Sequence, residues 1–230
     1  MKKIGLIGGM GWESTAIYYA TINKIMNEKK GGHHTANIIL SSIDFGQAYP
    51  LIKNKRHEEL ASLIEDSIST IHASNCSHAL ICCNTAHQVW PYLSEKSKAS
   101  LLHITDSVSE KAVALKLKKL GLLGTWSTLE STLYDERLKA AQIECIKPGK
   151  EDAQEIDRII FEELMFGNIN EASKSFVHQC INKMTREGAD GVILGCTELP
   201  MLVKQHEYSI AVLDSVHLHC LAAIRVALGH

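Results

Sequence analysis

The chain contains itself twice, and this repeat constrains its fold more than any other feature. "KKIGLIGGMGWEST" at 2–15 is echoed by "KKLGLLGTWSTLEST" at 118–132. "SHALICCNTAH" at 77–87 is echoed by "ADGVILGCTEL" at 189–199, and "ITDSV" at 104–108 by "VLDSV" at 212–216. Gly8 precedes Cys83 by 75 residues and Gly124 precedes Cys196 by 72, with the elements in the same order. A duplicated unit explains this better than chance similarity among apolar runs.

The repeated runs read as strands. "KKIGLIG", "ANIILSSI", "HALICC", "KKLGLLG" and "DGVILGC" are short, apolar and bounded by Gly, Asn or Ser. Helical periodicity lies between them, at Leu60, Leu63, Ile64, Ile68 and Ile71, at Ile156, Ile159, Ile160 and Leu164, and at Phe176, Val177, Cys180, Ile181 and Met184. Apolar strands alternating with helices predict parallel sheets covered on both faces. The expected fold class is α/β: two similar domains with parallel sheets, related by a pseudo-two-fold, with a site in the cleft between them. Expected boundaries are 1–100 plus 210–230 for the first domain and 101–209 for the second.

Composition narrows the function classes. The chain has 230 residues, 45% hydrophobic and 22% charged, with a net charge of −2. Such a balance offers no basic field for nucleic acid or an anionic membrane. The start "MKKIGLIGGMG" has the lysines of a signal peptide, but glycines interrupt its apolar run, so it reads as a first strand. No run approaches the roughly 18 apolar residues that would span a bilayer. The seven cysteines form no CxxC pair and fit no zinc template, which predicts reduced thiols in a cytoplasmic protein without a metal. Cys76, Cys145, Cys180 and Cys220 are assigned to packing.

Cys83 and Cys196 are different. Ligands of an open parallel sheet gather beyond the carboxyl ends of its strands. The repeat puts Gly8-Gly9-Met10 and Cys83-Asn84-Thr85 there in one half, and Thr125 to Thr128 and Cys196-Thr197-Glu198 in the other. Each cysteine is expected where a strand enters a helix, with backbone N–H groups and the helix dipole favouring a thiolate. Cys82 aligns with Gly195 and, as the strand neighbour of Cys83, should point into the core. Two thiols on opposite faces of a small substrate suit inversion at Cα: one removes the proton while the other returns one. The pair should share one proton at rest, and the glycine turn and the two cysteine turns should supply N–H donors for the carboxylate.

"GLIGGMGWEST", "SIDF", "CNTAH", "GLLGT" and "LGCTEL" resemble the aspartate/glutamate racemase family, which works without pyridoxal phosphate; the likeness runs over essentially the whole chain. The resemblance implies that Cys83 and Cys196 are the catalytic thiols, Cys196 facing the Cα proton of the L form and Cys83 that of the D form. It implies substrate binding by Met10, Asn84, Thr85, Thr197 and Glu198, largely through backbone and hydroxyl groups; Thr125, at the equivalent strand end, joins them. It also implies an amino-acid substrate, no cofactor, a C-terminal helix returning to the first domain, and a homodimer. Where many relatives carry serine this chain has Gly11, and where some aspartate-selective relatives carry lysine it has Met165 and Phe166. Some broad-specificity relatives carry glutamine near Ile52, and some have threonine in place of the first cysteine. Among Lys53, Lys55 and Arg56, a charge run that usually marks a solvated face, Arg56 is the candidate for gripping a distal carboxylate. His87 and His206 read as surface or supporting groups. Two alternatives stay open. A nucleotide-binding module is disfavoured because "GLIGGMG" lacks the third glycine of G-x-G-x-x-G, Ser14 standing there. A decarboxylase or cis–trans isomerase of the same superfamily is the nearer rival.

Overall fold

The computed structural model describes residues 1–229. In chain order the elements begin β1 (Ile4–Gly8), α1 (Trp12–Lys30), β2 (Ile38–Ser42), α2 (Phe45–Lys53), α3 (His57–Ala73), β3 (His78–Ile81), α4 (Glu95–Ser100), β4 (Leu101–Leu102) and α5 (Ile104–Ala114). They continue with β5 (Lys119–Leu123), α6 (Trp126–Glu130), α7 (Leu133–Ala140), β6 (Glu144–Ile146), α8 (Lys150–Arg158), α9 (Glu171–Arg186), β7 (Gly191–Leu194), β8 (Ala211–Asp214) and α10 (Ser215–Leu228). Two four-stranded parallel sheets result, ordered β2-β1-β3-β4 and β6-β5-β7-β8. The orders are the same once β1 is matched with β5, so the duplication seen in the sequence is a duplication of topology.

The chain divides into two compact units, 1–104 with 217–230 and 105–216. The helix after each sheet's last strand is therefore exchanged: α5 belongs to the second unit and the body of α10 to the first. Residues 210–216, with strand β8, lie in the second unit and residues 101–104 in the first, whereas the sequence reading placed each in the other. Among the described residues no helix is long and apolar enough to cross a membrane.

In the first unit Ile64, Ile68 and Ile71 of α3 pack with Ile7, Ile81 and Val89. Leu60, Ile64, Ile68 and Ile71 form the face that periodicity predicts, and Glu58 and Glu59 complement the dipole in the first turn. In the second unit Ile156, Ile159, Ile160 and Leu164 are all buried. The helix carrying them is not regular: α8 passes into a π turn at Ile159–Glu163 and a 3-10 turn at Leu164–Phe166. Arg158, hydrogen-bonded to Glu155 at 2.7 Å and Glu163 at 2.8 Å, ties this junction from outside. Cutting one of these buried side chains back to alanine costs about 2–5 kcal/mol.

The first unit buries an imidazole layer of His87, His103 and His219. Burial pushes the His219 imidazole down to about 3, the neighbouring His87 adding to the effect. A histidine that resists protonation when folded lets the unfolded chain bind the extra proton. Its contribution is therefore intact above the ordinary histidine value of 6.5 and lost as pH falls from there toward 3. Chemical unfolding between pH 7.5 and 4.5 should show stability falling by on the order of 2–3 kcal/mol. His219→Gln, which does not titrate, should flatten the slope, leaving a residue from His78, also pushed down by burial and by Lys2. A flat wild-type profile would contradict this.

Candidate active site

The site residues follow from the sheet order. In each sheet the chain leaves the first strand toward one edge and returns to pair on its other side, so the loops after β1 and β3, or after β5 and β7, diverge at a switch point where ligands gather. Ile7 pairs with Ile81, and Leu123 with Leu194. The ladder runs one residue further in both units: Cys82 N–H donates to the Ile7 carbonyl at 2.9 Å, and Gly195 N–H to the Leu123 carbonyl at 2.7 Å. Cys82 thus occupies the place of Gly195, and Cys83 that of Cys196, as the repeat alignment has them.

In the first unit, Gly9 has φ +91° and a Cβ there would stand 1.9 Å from the Ile43 carbonyl oxygen, so only glycine fits. The Gly9 N–H donates to Thr15 Oγ1 at 2.9 Å, and the Thr15 hydroxyl donates to the Gly11 carbonyl at 3.1 Å. That N–H is thus consumed within the turn, against the expectation that the glycine turn supplies it to a carboxylate. Met10 is buried, its side chain in the core. Cys82 is fully buried and its thiol is pushed well up by burial, then by Cys220 and Cys83. Cys83 is partly exposed. Asn84 is buried, and Thr85 opens a 3-10 helix, Thr85–Tyr92, that returns the chain across the core.

In the second unit Thr125 caps α6, its Oγ1 accepting the Thr128 N–H at 3.4 Å, while Trp126 N–H donates to Asp157 at 2.6 Å. Cys196 is partly exposed and its Sγ donates to Glu198 Oε2 at 2.9 Å. Thr197 is nearly buried and Glu198 is 6% exposed. A single 3-10 turn, Leu199–Met201, follows. The expectation of a helix dipole at both cysteines is therefore corrected. No α-helix starts at either one, and what stands beside Cys196 is a carboxylate that accepts from its thiol. Tyr134, whose hydroxyl burial pushes up, shares a hydrogen bond with Ser215, and Ser215 donates to the Leu194 carbonyl at 2.7 Å.

Arg56 does not stand ready for a substrate: its guanidinium forms a two-pronged pair with Glu59, each side chain about half exposed (52% and 54%). Lys53 lies over the Tyr49 ring. The solvated-face reading of this stretch describes what is seen. His87, by contrast, is not a surface group but is 1% exposed, with Nδ1 2.9 Å from the Cys83 carbonyl oxygen. Its place four residues after Cys83, within one helical turn, was the signal available in the sequence. Among the described residues no group of three or more His, Cys, Asp or Glu is arranged to hold a metal ion.

Comparison with known proteins gives the family. Residues 7–223 match the family model for Asp/Glu/hydantoin racemases, and the chain belongs to that family. It is similar to the crystal structure of a proposed Asp/Glu racemase from Yersinia pestis, at 37% identity and a TM-score of 0.93, covering 99% of this chain and 100% of that one. An aspartate racemase homologue from Pyrococcus horikoshii OT3 matches at 32% identity and a TM-score of 0.89, with the same coverage. The broad-specificity amino-acid racemase RacX of Bacillus subtilis is 24% identical over 216 residues, 92% of each chain.

Thiol chemistry separates the candidates from the rest. Burial pushes up the thiols of Cys76 and Cys82, takes Cys180 to about 11 and Cys145 to about 12, and Cys220 is fully buried. Iodoacetamide near neutral pH should therefore modify Cys83 and Cys196 before the other five, as peptide mapping would show. Glu198→Gln, which replaces the carboxylate that accepts from Cys196, should change the Cys196 rate and leave that of Cys83 in place. Cys76 or Cys220 reacting first would contradict the assignment.

Proposed function

We propose that this chain is an amino-acid racemase that inverts Cα of an acidic substrate, aspartate or glutamate, with Cys83 and Cys196 as its two acid/base groups. The observation that carries the reading is the pair of partly exposed thiols at equivalent strand ends, one of them donating to a buried carboxylate. The family membership and the aspartate and broad-specificity relatives support the reaction class. The reading requires both strand ends to meet one substrate from opposite sides.

The steps then follow for the L enantiomer. Glu198 takes the proton of Cys196, leaving a thiolate and a carboxylic acid. The thiolate removes the Cα proton and becomes a thiol again, while the electron pair left on Cα delocalises into the substrate carboxylate. The Cys83 thiol delivers its proton to the opposite face and is left as thiolate. The proton held by Glu198 then returns to Cys83 through solvent, closing the cycle. The D enantiomer runs the same steps in reverse. Asn84, Thr85, Thr125 and Thr197 supply N–H and hydroxyl groups around the reacting carboxylate, and Met10 contributes through its backbone. Met165 and Phe166 stand where some aspartate-selective relatives carry lysine, from which we infer tolerance of more than one side chain beyond Cβ.

Cys83→Ala and Cys196→Ala should each abolish racemisation in both directions, because inversion needs a base on one face and an acid on the other. Loss of a positioned acid or base costs about 10²–10⁴-fold. Chiral chromatography of each enantiomer checks this, with near-ultraviolet circular dichroism reporting the fold. Racemisation at the parental rate by Cys83→Ala, or racemisation of neutral amino acids alone by the wild type, would overturn the reading.

A further inference from the structure

The buried imidazole layer has a chemistry that the proposed steps do not use. A backbone carbonyl only accepts hydrogen bonds, so His87 Nδ1, 2.9 Å from the Cys83 carbonyl oxygen, carries the hydrogen. His87 Nε2 accepts from the Ile104 N–H at 3.4 Å and so carries none. The side chain is 1% exposed, and both its nitrogens are committed. The same logic fixes His219. Its Nε2 donates to the Leu102 carbonyl at 2.8 Å, and its Nδ1 accepts from the Tyr18 hydroxyl at 2.9 Å. His87 packs against His103 and His219, with centroids 4.8 Å and 5.6 Å away, and His103 packs edge-on against Trp90 at 4.5 Å.

A directed series results. Tyr18 of α1 donates to His219 of α10, and His219 donates to Leu102 at the end of β4. Two residues on, Ile104 N–H donates to His87, and His87 donates to Cys83. We propose that His87 is a positioning residue for Cys83, locked as its Nδ1–H tautomer so that it holds the Cys83 carbonyl and with it the turn that presents the thiol. The role rests on the reading of Cys83 as an acid/base group.

The second unit supports this independently. Tyr134 follows Gly124 by ten residues, as Tyr18 follows Gly8. Both tyrosines are buried and each begins a series that ends on a strand end: Tyr134 bonds Ser215, and Ser215 donates to the carbonyl of Leu194, two residues before Cys196. A serine at the start of α10 holds the carbonyl two residues before the cysteine there, where an imidazole holds the cysteine's own carbonyl here. Packing alone does not explain the shared starting position of the two tyrosines.

Three measurements test the proposal. Nitrogen-15 histidine spectra of the wild type at pH 7.5 should show His87 as the neutral Nδ1–H tautomer, the minor form for free imidazoles in water; an Nε2–H signal would overturn it. Iodoacetamide competition, mapped by peptide, then compares His87→Ala, which loses the donor, with His87→Asn, whose amide can reach the same carbonyl. In His87→Ala the Cys83 rate relative to Cys196 should fall by roughly five-fold or more, and kcat by about 10–100-fold with a much smaller change in KM, the size of effect a displaced group produces. His87→Asn should recover most of both. An unchanged ratio in a folded His87→Ala, equal slowing at both cysteines, or an asparagine variant no better than alanine would overturn the role. If His87→Ala does not fold, the tautomer and the comparison of His87→Asn with wild type decide. Should Cys83→Ala still racemise, the acid/base reading fails while tautomer and thiol rates are judged on their own.

Discussion

One hydrogen bond in each unit sets where the two candidate thiols sit. Cys82 N–H to Ile7 and Gly195 N–H to Leu123 carry the parallel ladder a residue past the strands β3 and β7. Successive side chains of an extended chain point to opposite faces. The laddered residue is therefore turned inward, and the next one emerges at the switch point. In the first unit the laddered residue is a fully buried cysteine. In the second it is glycine, where a Cβ would come within 2.8 Å of the Leu123 carbonyl oxygen. The thiols at 83 and 196 emerge for the same reason, and every later property of the site is built on that placement.

The two ends are alike in topology and unlike in chemistry. Position 198 holds a carboxylate where the repeat has Thr85 in the first half. Cys196 thus has a carboxyl acceptor beside it, and Cys83 has a turn tied by the His87 imidazole. A duplicated scaffold carrying two different proton environments suits a reaction whose two directions demand opposite starting protonation. The cost of burial is visible in the other cysteines, whose thiols are pushed up and removed from chemistry.

Much of this was legible in the sequence because it is written as periodicity. The five apolar runs became β1, β2, β3, β5 and β7, and the three amphipathic patterns became α3, α9 and the irregular helix beginning at α8. Strands β4, β6 and β8 escaped notice: all three lie at sheet edges, and β4 and β6, with two and three residues, are too short for a pattern to show. The π turn at Ile159–Glu163 is hidden because its buried positions keep a helix-like spacing. At the site, the repeat alone paired Cys83 with Cys196. What it could not show were contacts made by folding: Arg56 closing on Glu59, Gly9 N–H closing on Thr15, and His87 turning inward beneath Cys83. Each depends on a side-chain direction, which residue spacing does not encode.

The central claim is that two different groups serve the two faces of Cα, and isotope entry tests it most directly. L-aspartate or L-glutamate would be incubated with the wild-type protein in D₂O and sampled at a few per cent conversion. If Cys196 removes the proton and Cys83 supplies a different one, the newly formed D enantiomer carries deuterium at Cα while the remaining L enantiomer stays protiated. Deuterium entering the remaining L enantiomer as fast as the D product, or a D product that keeps the substrate's own proton, would mean that one group works both faces and would contradict the account.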